Sequence, residues 1–207
     1  MSDHALPDEA APTREEPKVR QRMKPGQRRE QILQTLAGML EQPGTERITT
    51  ALLASKLDVS EAALYRHFAS KAQMFEGLID FVDQSVIGLI RQVTDREPAG
   101  PVQAGRIVAL LLQFAEKNPG MSRVMIGDAL VLEHERLQER INLLFDKVEA
   151  QLRQSLKAND SATPTADAQV AASLLVAFMQ GRLQRFARSG FKRLPSEHLQ
   201  AALARML

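Results

Sequence analysis

The segment SEAALYRHF, residues 60–68, carries three adjacent side chains that could bind an anion in water. Leu64 and Phe68 are four residues apart, so a helix places both on one apolar face. Tyr65, Arg66 and His67 then lie outside that face, where their polar groups can donate hydrogen bonds. A short helix does not need this cluster of polar side chains in order to fold. The segment therefore predicts a surface that binds an anion, such as the phosphates of a nucleic acid.

The residues that commonly perform catalysis or hold metals are absent or scattered. The sequence contains no Cys, and its four His, at positions 4, 67, 134 and 198, are far apart. The segment EHER, residues 133–136, lacks the two His four residues apart that a zinc-binding helix needs. No Gly-rich phosphate loop occurs. We therefore predict no enzymatic activity, no cofactor and no metal site.

The positive charge of the chain is concentrated around the same segment. The formal net charge is +2, but the stretch from Lys18 to Lys71 holds ten Lys or Arg and five Asp or Glu, a local net of +5. A basic block in a nearly neutral protein favours a polyanionic partner for that block alone. The alternative is an ordinary solvated surface, which charge by itself does not exclude.

The chain shows no sequence feature that indicates a membrane or a secretory route. It contains no apolar run of about 18 residues, the minimum for a membrane span. Its first residues lack the apolar region of a secretory signal. Together with the absence of Cys, these features favour a cytoplasmic protein without a membrane segment.

Helical periodicity predicts an all-α fold, in which an N-terminal arm precedes two domains. Residues 1–26 contain four Pro and no periodicity, which predicts a disordered arm with an acidic first half and a basic second half. Residues 27–71 are predicted to form a small domain of three helices, of which the first spans 27–41. Residues 72–207 are predicted to form a helical body.

The body begins with a long helix, and the breaks that follow it are marked by Pro and Gly. The predicted helices span about 70–95, then 102–117, then a stretch from the segment NPG to about residue 159. A loop is predicted at residues 159–167, and an amphipathic helix closes the chain.

Two short helices joined by the turn Asp58-Val59-Ser60, in which Asp58 can take a left-handed backbone conformation, predict a helix-turn-helix, whose second helix enters the DNA major groove. Thr49 or Thr50 can cap the first of these helices, which carries Leu52, Leu53 and Leu57, and Ser60 can cap the second. The predicted contacts with bases and phosphates come from the two helices and the ends of the domain. They are Arg28, Thr49, Thr50, Ser60, Glu61, Ala62, Ala63, Tyr65, Arg66, His67 and Lys71.

Several of these residues also have a purely structural interpretation. Thr49 caps its helix whether or not it also binds a phosphate, Tyr65 could pack on the first helix, and His67 could simply be exposed. Glu61 is unexpected on a surface that binds anions. It could accept a hydrogen bond from a cytosine amino group, or it could only interact with the helix dipole.

The segment VAASLLVAFM, residues 170–179, is apolar on almost every side of a helix. A helix of this kind must be buried all round, which in a small chain suggests that one face meets a second subunit. We predict that the interface of a homodimer uses residues of this helix and of the last one: Leu174, Leu175, Phe178, Met179, Leu203 and Met206.

The segment TTALLASKLDVSEAALYRHFASKAQMF, residues 49–75, resembles the DNA-binding signature of TetR-family regulators. The shared features are the Thr start, Ala54, the Val-Ser turn, the Tyr-Arg-His-Phe segment and Lys71, whereas Asp58 stands where a Gly is usual. The resemblance implies a three-helix head with a helix-turn-helix, followed by a helical body that dimerises, and binding of the dimer to palindromic double-stranded DNA.

A narrower resemblance, to the nucleoid occlusion factors within that family, extends from about residue 28 to 193. It rests on segments such as RREQILQTLAGMLE, FAEKNPG and LQERINLLFDKVEAQLRQ. It implies a nucleoid-associated protein that blocks assembly of the division protein FtsZ over the nucleoid, with possible higher-order assembly on DNA. The implied site for the FtsZ C-terminal tail is a groove beside the fourth helix, at Phe81, Leu110, Lys117 and Asn118. Leu89 stands where this group has an Arg, with Arg91 nearby.

The alternative function is a transcriptional repressor that responds to a small molecule, as many proteins with this head are. Such a repressor needs a roomy apolar cavity with a few polar groups inside its body. The Leu, Val and Met side chains of the predicted interior fill a core as easily as they line a cavity. The sequence therefore leaves this alternative open.

Overall fold

The structure is a computed structural model that describes residues 26–42, 48–157 and 165–207. Within these ranges it contains helices and no strands, which confirms the predicted all-α fold. The α-helices are α1 (Gln27–Leu40), α2 (Thr50–Lys56), α3 (Glu61–Tyr65), α4 (Lys71–Thr94), α5 (Pro101–Lys117), α6 (Pro119–Met125), α7 (Glu135–Lys157), α8 (Thr165–Arg188) and α9 (Leu199–Met206). A 3₁₀ turn, Asp128–Leu130, precedes α7. None of the described helices could cross a membrane. Of the predicted N-terminal arm, residues 1–25 lie outside the described residues.

The first three helices, which we call the head, pack around one apolar cluster. Ile32 and Leu36 of α1 and Leu53 of α2 are buried in it together with Leu64 of α3. Leu52, which precedes Leu53 on α2, is 44% exposed. Successive residues of a helix are about 100° apart, so Leu53 takes the position that faces the core and Leu52 points away from it.

Helix α4 runs from the head through the remaining helices, which with it we call the body. Ser70 caps its N-terminus by accepting a hydrogen bond from the Gln73 backbone N–H at 3.2 Å. Met74 and Phe75 near the start of α4, and Val82 and Val86 further along it, are all buried. Helix α4 therefore continues one apolar cluster from the head into the body, and the sequence-based domain boundary between residues 71 and 72 stays a prediction.

The segment NPG brings the body into close contact with the head. Asn118 ends α5, and Pro119 is the first residue of α6. A Cβ atom on Gly120 would lie 2.2 Å from the carbonyl oxygen of Ala37, so only Gly allows α6 to approach α1 this closely. This contact places the end of α5 beside the first helix of the head.

The helical stretch predicted between NPG and residue 159 is divided in the structure. Helix α6 ends at Met125, and Gly127 follows with φ of 77°. This left-handed backbone stops the helix, and α7 begins only at Glu135. A single Gly did not mark this break clearly in the sequence. Of the loop predicted at residues 159–167, residues 159–164 lie outside the described ranges, and α8 already begins at Thr165.

Candidate nucleic-acid interface

Helices α2 and α3 form a helix-turn-helix, and each begins with a side-chain cap. The Thr49 hydroxyl oxygen accepts a hydrogen bond from the Leu52 backbone N–H at 3.2 Å, and the Ser60 hydroxyl oxygen accepts one from the Ala63 N–H at 3.3 Å. Asp58 has φ of 51°, which confirms the left-handed turn predicted at this position. Because each hydroxyl accepts with its oxygen, its proton stays available for a further acceptor such as a phosphate.

Helix α3 turns its apolar side inward and presents the predicted polar residues to solvent. Leu64 and Phe68 are buried, as predicted. Tyr65 is 46% exposed, and Arg66 and His67 are exposed as well. The exposure of Tyr65 leaves its hydroxyl free to meet a partner outside the head. The rest of this surface comprises Ser60, Glu61 and Ala62, which are exposed, and Ala63, which is half-buried.

Glu61 has a partner within the head. The Thr50 hydroxyl donates a hydrogen bond to Oε2 of Glu61 at 2.5 Å, which joins the first turn of α2 to the first turn of α3. The carboxylate also lies at the N-terminus of α3, where a negative charge is stabilised. Glu61 therefore fixes α2 and α3 relative to each other, and this structural role does not require a contact with a base.

Arg29 was not among the predicted site residues, but it fixes the end of the recognition segment. Its Nη1 donates a hydrogen bond to the carbonyl oxygen of His67 at 2.8 Å. Its guanidinium carbon lies 4.1 Å from the centroid of the Phe68 ring, a cation–π contact. Because 38 residues separate Arg29 from His67, no local spacing in the sequence indicates this contact.

The two predicted contacts at the edges of the head already have protein partners. Arg28 donates a hydrogen bond from Nη1 to Oε1 of Gln31 at 2.8 Å, within α1. Lys71 forms an ion pair with Glu133 of the body, and its Nζ lies 5.6 Å from the centroid of the Phe75 ring. The Lys71 ammonium has three N–H donors, so a phosphate would share it with Glu133.

The residues predicted to bind the FtsZ tail lie where α4 meets the end of α5. Phe81 is 49% exposed, and its ring centroid lies 6.2 Å from that of Phe114. Lys117 is exposed, while Leu110 is half-buried against the core. Asn118 donates a hydrogen bond from Nδ2 to the Phe114 carbonyl oxygen at 2.8 Å, which ends α5.

A pocket of about 320 Å³ opens beside Phe81 and Asn118, between the head and the body. Leu33 and Ala37 of α1 and Leu78 of α4 give it an apolar lining, and Glu30 of α1 and Glu41, just after α1, also line it. The sequence-based groove involved α4 and α5 alone. The structure adds α1, because Gly120 allows the end of α5 and the start of α6 to lie against the head.

The residues predicted for the dimer interface do not share one surface. Leu174 is 59% exposed, and Phe178 and Met206 are half-buried. Leu175 and Met179 are buried inside the subunit, and so is most of Leu203. The helical rotation of about 100° per residue turns Leu175 and Met179 toward the core while Leu174 faces outward, and the assignment of the six residues to a dimer interface stays a prediction.

The centre of the body is closed. The enclosed space between α4, α5, α7 and α8 has a volume of about 10 Å³ and is lined by side chains such as Val86, Leu112 and Met179. A cavity of this size holds a single water molecule at most. Small-molecule sites in proteins are commonly about 300–1,000 Å³.

Comparisons with known proteins agree with this architecture. Residues 32–78 match the model of bacterial regulatory proteins of the tetR family. Residues 101–206 match the SlmA-like model of the tetracyclin repressor-like C-terminal domain. Among solved structures, a TetR transcriptional regulator from Legionella pneumophila has a TM-score of 0.70 at 13% identity, with 89% of this chain and 98% of that chain covered. FadR from Bacillus subtilis, in complex with stearoyl-CoA, has a TM-score of 0.64 at 11% identity, with 86% and 96% covered. These structural likenesses establish a TetR-like fold.

Similarity in sequence is much higher to one group of proteins. The nucleoid occlusion factor SlmA of Idiomarina loihiensis is 49% identical over 177 residues, which cover 84% of this chain and 90% of the relative. The nucleoid occlusion factor SlmA of Shewanella oneidensis is 51% identical over 174 residues, which cover 83% and 88%. With a helix-turn-helix head, a closed helical body and this identity across both, the chain belongs to the SlmA family of TetR-like nucleoid occlusion factors.

Proposed function

We propose that the protein binds palindromic chromosomal DNA as a homodimer and, while bound there, captures the C-terminal tail of FtsZ and blocks FtsZ ring assembly. It would act in the cytoplasm at the nucleoid and prevent division over the chromosome. The observation that carries the proposal is the identity of about half of all aligned positions with nucleoid occlusion factors, over both the head and the body.

The exposed side of α3 supports the DNA-binding part of the proposal. Arg66 has no ion-pair or hydrogen-bond partner among the described residues, and it lies between the exposed Tyr65 and His67. An unpaired guanidinium can bind a phosphate, or the O6 and N7 atoms of a guanine. Ala62 is small and exposed, so the backbone of α3 can approach the bases closely.

An exposed apolar stripe on α8 supports dimerisation. Val170, Leu174 and Phe178 are spaced four residues apart and therefore lie on one side of the helix. Val170 and Leu174 are both largely exposed, while Phe178 is half-buried and lies 4.9 Å from the guanidinium carbon of Arg182. A stripe of this kind on a helix is self-complementary across a two-fold axis. Two heads related by that axis would bind a palindrome.

The surface around Phe81 supports capture of a peptide. Phe81 offers a half-exposed aromatic ring beside the apolar pocket, and Lys117 offers an exposed positive charge at the end of α5. An apolar anchor with a nearby charge is a common way to bind a short peptide segment. Because α1 lines the same pocket, an orientation of the head fixed by DNA would also fix one wall of the peptide site.

Leu89 and Arg91 lie differently with respect to this surface. Leu89 is half-buried on α4. Arg91 lines a groove between α4 and α7 instead of the groove beside α5, so it does not replace the Arg that the family has in place of Leu89. We propose that Phe81 and Lys117 provide the main contacts of the peptide in this chain.

The centre of the body does not support the alternative of a repressor that senses a small molecule. The enclosed volume of about 10 Å³ in its centre is too small for a metabolite.

Binding of a fluorescent FtsZ tail peptide to the protein–DNA complex tests the proposal. We expect Lys117→Glu to weaken peptide binding about tenfold, the effect of losing roughly 1.4 kcal/mol, because it replaces an attractive charge with a repulsive one. Affinity for DNA and the melting temperature should hardly change. Lys192→Glu, at an exposed Lys between α8 and α9, is the matched control. Equal peptide affinity for both variants and the unmodified protein would place the tail elsewhere.

A further inference from the structure

Helices α4 and α7 are joined along part of their length by a row of ion pairs. At its DNA-proximal end the row begins with Lys71, which pairs with Glu133 just before α7. Three pairs between the two helices follow: Glu76 with Arg136 at 2.8 Å, Asp80 with Arg140, and Asp83 with Lys147 at 2.8 Å. We call the contact between α4 and α7 the seam. In this part of the seam each acidic residue of α4 faces a basic residue of α7.

Beyond Asp83 the row stops, and the two helices border an open groove of about 1,210 Å³. Arg91 of α4 and Arg153 and Lys157 of α7 line the groove, and Ile87 and Ile90 give it an apolar floor. Asp83 is the one acidic residue among the lining side chains, and Lys147 already pairs with it.

Apart from Lys147, the cations of this groove have no carboxylate partners in the part of the chain that the structure describes. Arg153 donates a hydrogen bond from Nη1 to Oε1 of Gln169 at 3.0 Å, a neutral group that leaves its charge uncompensated. The side chains of Arg91 and Lys157 have neither a hydrogen-bond nor an ion-pair partner there. The groove therefore has the shape of a peptide-sized cleft and a net positive charge, which favours a carboxylate-rich segment.

The chain itself contains a segment of that chemistry. Residues 3–16 hold five carboxylates, at positions 3, 8, 9, 15 and 16, and one Arg, a net side-chain charge of −4. We propose that the acidic segment, residues 3–16, docks into the α4–α7 groove of the body by pairing with Arg91, Arg153 and Lys157.

The intervening chain is long enough for this docking. Arg29 contacts His67 and Phe68, so α1 begins beside the start of α4. From Lys71 the groove lies about 18–35 Å along α4, because a helix rises 1.5 Å per residue. The nine residues from 17 to 25, between the acidic segment and Gly26, span up to about 30 Å when extended, which reaches the level of Arg91. A tether of this length keeps the acidic segment at a local concentration on the order of millimolar.

Docking would hold the acidic residues 3–16 on the body, away from the basic residues 18–24. Residues 18–24 carry four Lys or Arg and no acidic residue, so they are attracted to the same phosphates that repel residues 3–16. With the acidic segment held on the body, the basic residues can approach DNA without its opposing charge.

Because the sequence contains no Cys, introduced pairs of Cys can test the docking in the full-length protein. One Cys replaces Ala10 in the acidic segment. The second replaces either Ala150, which lines the groove, or Ala62, which is exposed on α3. A short bismaleimide is added without DNA and at low salt, and the cross-linked fraction is measured by intact mass.

We expect several-fold more cross-linking for the pair at positions 10 and 150 than for the pair at 10 and 62. Arg153→Glu with Lys157→Glu should reduce the first yield several-fold, as should high salt. Lys192→Glu with Arg193→Glu, at exposed cations outside the groove, should not reduce it. The proposal would be overturned by more cross-linking to position 62 than to position 150. It would also be overturned if cross-linking to position 150 did not change when the groove cations are replaced by Glu. FtsZ and DNA take no part in this test, so its outcome is independent of the proposed function.

Discussion

The exposed side of the head and the paired part of the α4–α7 seam are both rich in charged residues, but they use the charges differently. Along the seam, Arg136, Arg140 and Lys147 each face a carboxylate of α4. On the head, Arg66 and Lys56 have no ionic partner among the described residues. Charged side chains that lack partners on a folded surface remain free to bind a partner from outside.

The comparison also separates stability from recognition. Exposed ion pairs typically contribute less than about 1 kcal/mol each, so the seam orients α7 more than it stabilises the body. The body is stabilised mainly by buried apolar side chains such as Leu175, and the head by its caps and a smaller core. Variants that change the core, a cap or an ion pair one at a time test this distinction.

The largest expected effect is in the core of the body. Leu175 is 0% exposed, so Leu175→Ala removes buried methyl groups and leaves a cavity. We expect the free energy of unfolding to fall by about 2–5 kcal/mol, measured by urea denaturation. Leu143→Ala, at an exposed Leu of α7, is the control and should change it by less than about 0.5 kcal/mol. Equal losses in both variants would show that the assigned core is wrong.

A smaller effect is expected at the cap of the recognition helix. Ser60→Ala removes the acceptor for the Ala63 N–H and should lower stability by about 1 kcal/mol. Ser60→Asn should restore most of the loss, because Asn caps helices well without adding charge. Urea denaturation, followed by a probe in the head, measures both variants. If Asn and Ala have the same effect, the cap does not stabilise α3.

The smallest effect is expected in the seam. Arg140→Ala removes the partner of Asp80, and both side chains are more than one third exposed. We expect a loss below about 1 kcal/mol, and a double-mutant cycle with Asp80→Ala should give a coupling energy in the same range. A coupling of several kcal/mol would mean that the seam, like the core, stabilises the body.

Much of the head could be predicted from the sequence, because its signals are local. The caps at Thr49 and Ser60, the left-handed Asp58 and the inward pair of Leu64 and Phe68 each depend on residues a few positions apart, and the structure confirms them.

The features that the sequence did not predict depend on contacts between distant residues, or on which of two neighbouring residues in a helix faces the core. The contacts of Arg29 with His67, and of Lys71 with Glu133, join residues 38 and 62 positions apart. The apolar run of α8 did not show that Leu175 and Met179 are on the side that faces the core. The Phe81 pocket includes α1 because of one Gly at a close contact between helices.

The salt dependence of DNA affinity tests the central claim, that the unpaired charges of the head bind DNA. Fluorescence anisotropy with a palindromic duplex at several salt concentrations should show affinity falling steeply as salt rises. Arg66→Ala should flatten the log–log slope by about one unit, whereas Arg140→Ala, which removes an equal charge from the seam, should leave it unchanged. A slope near zero for the unmodified protein, or equal flattening in both variants, would contradict the account.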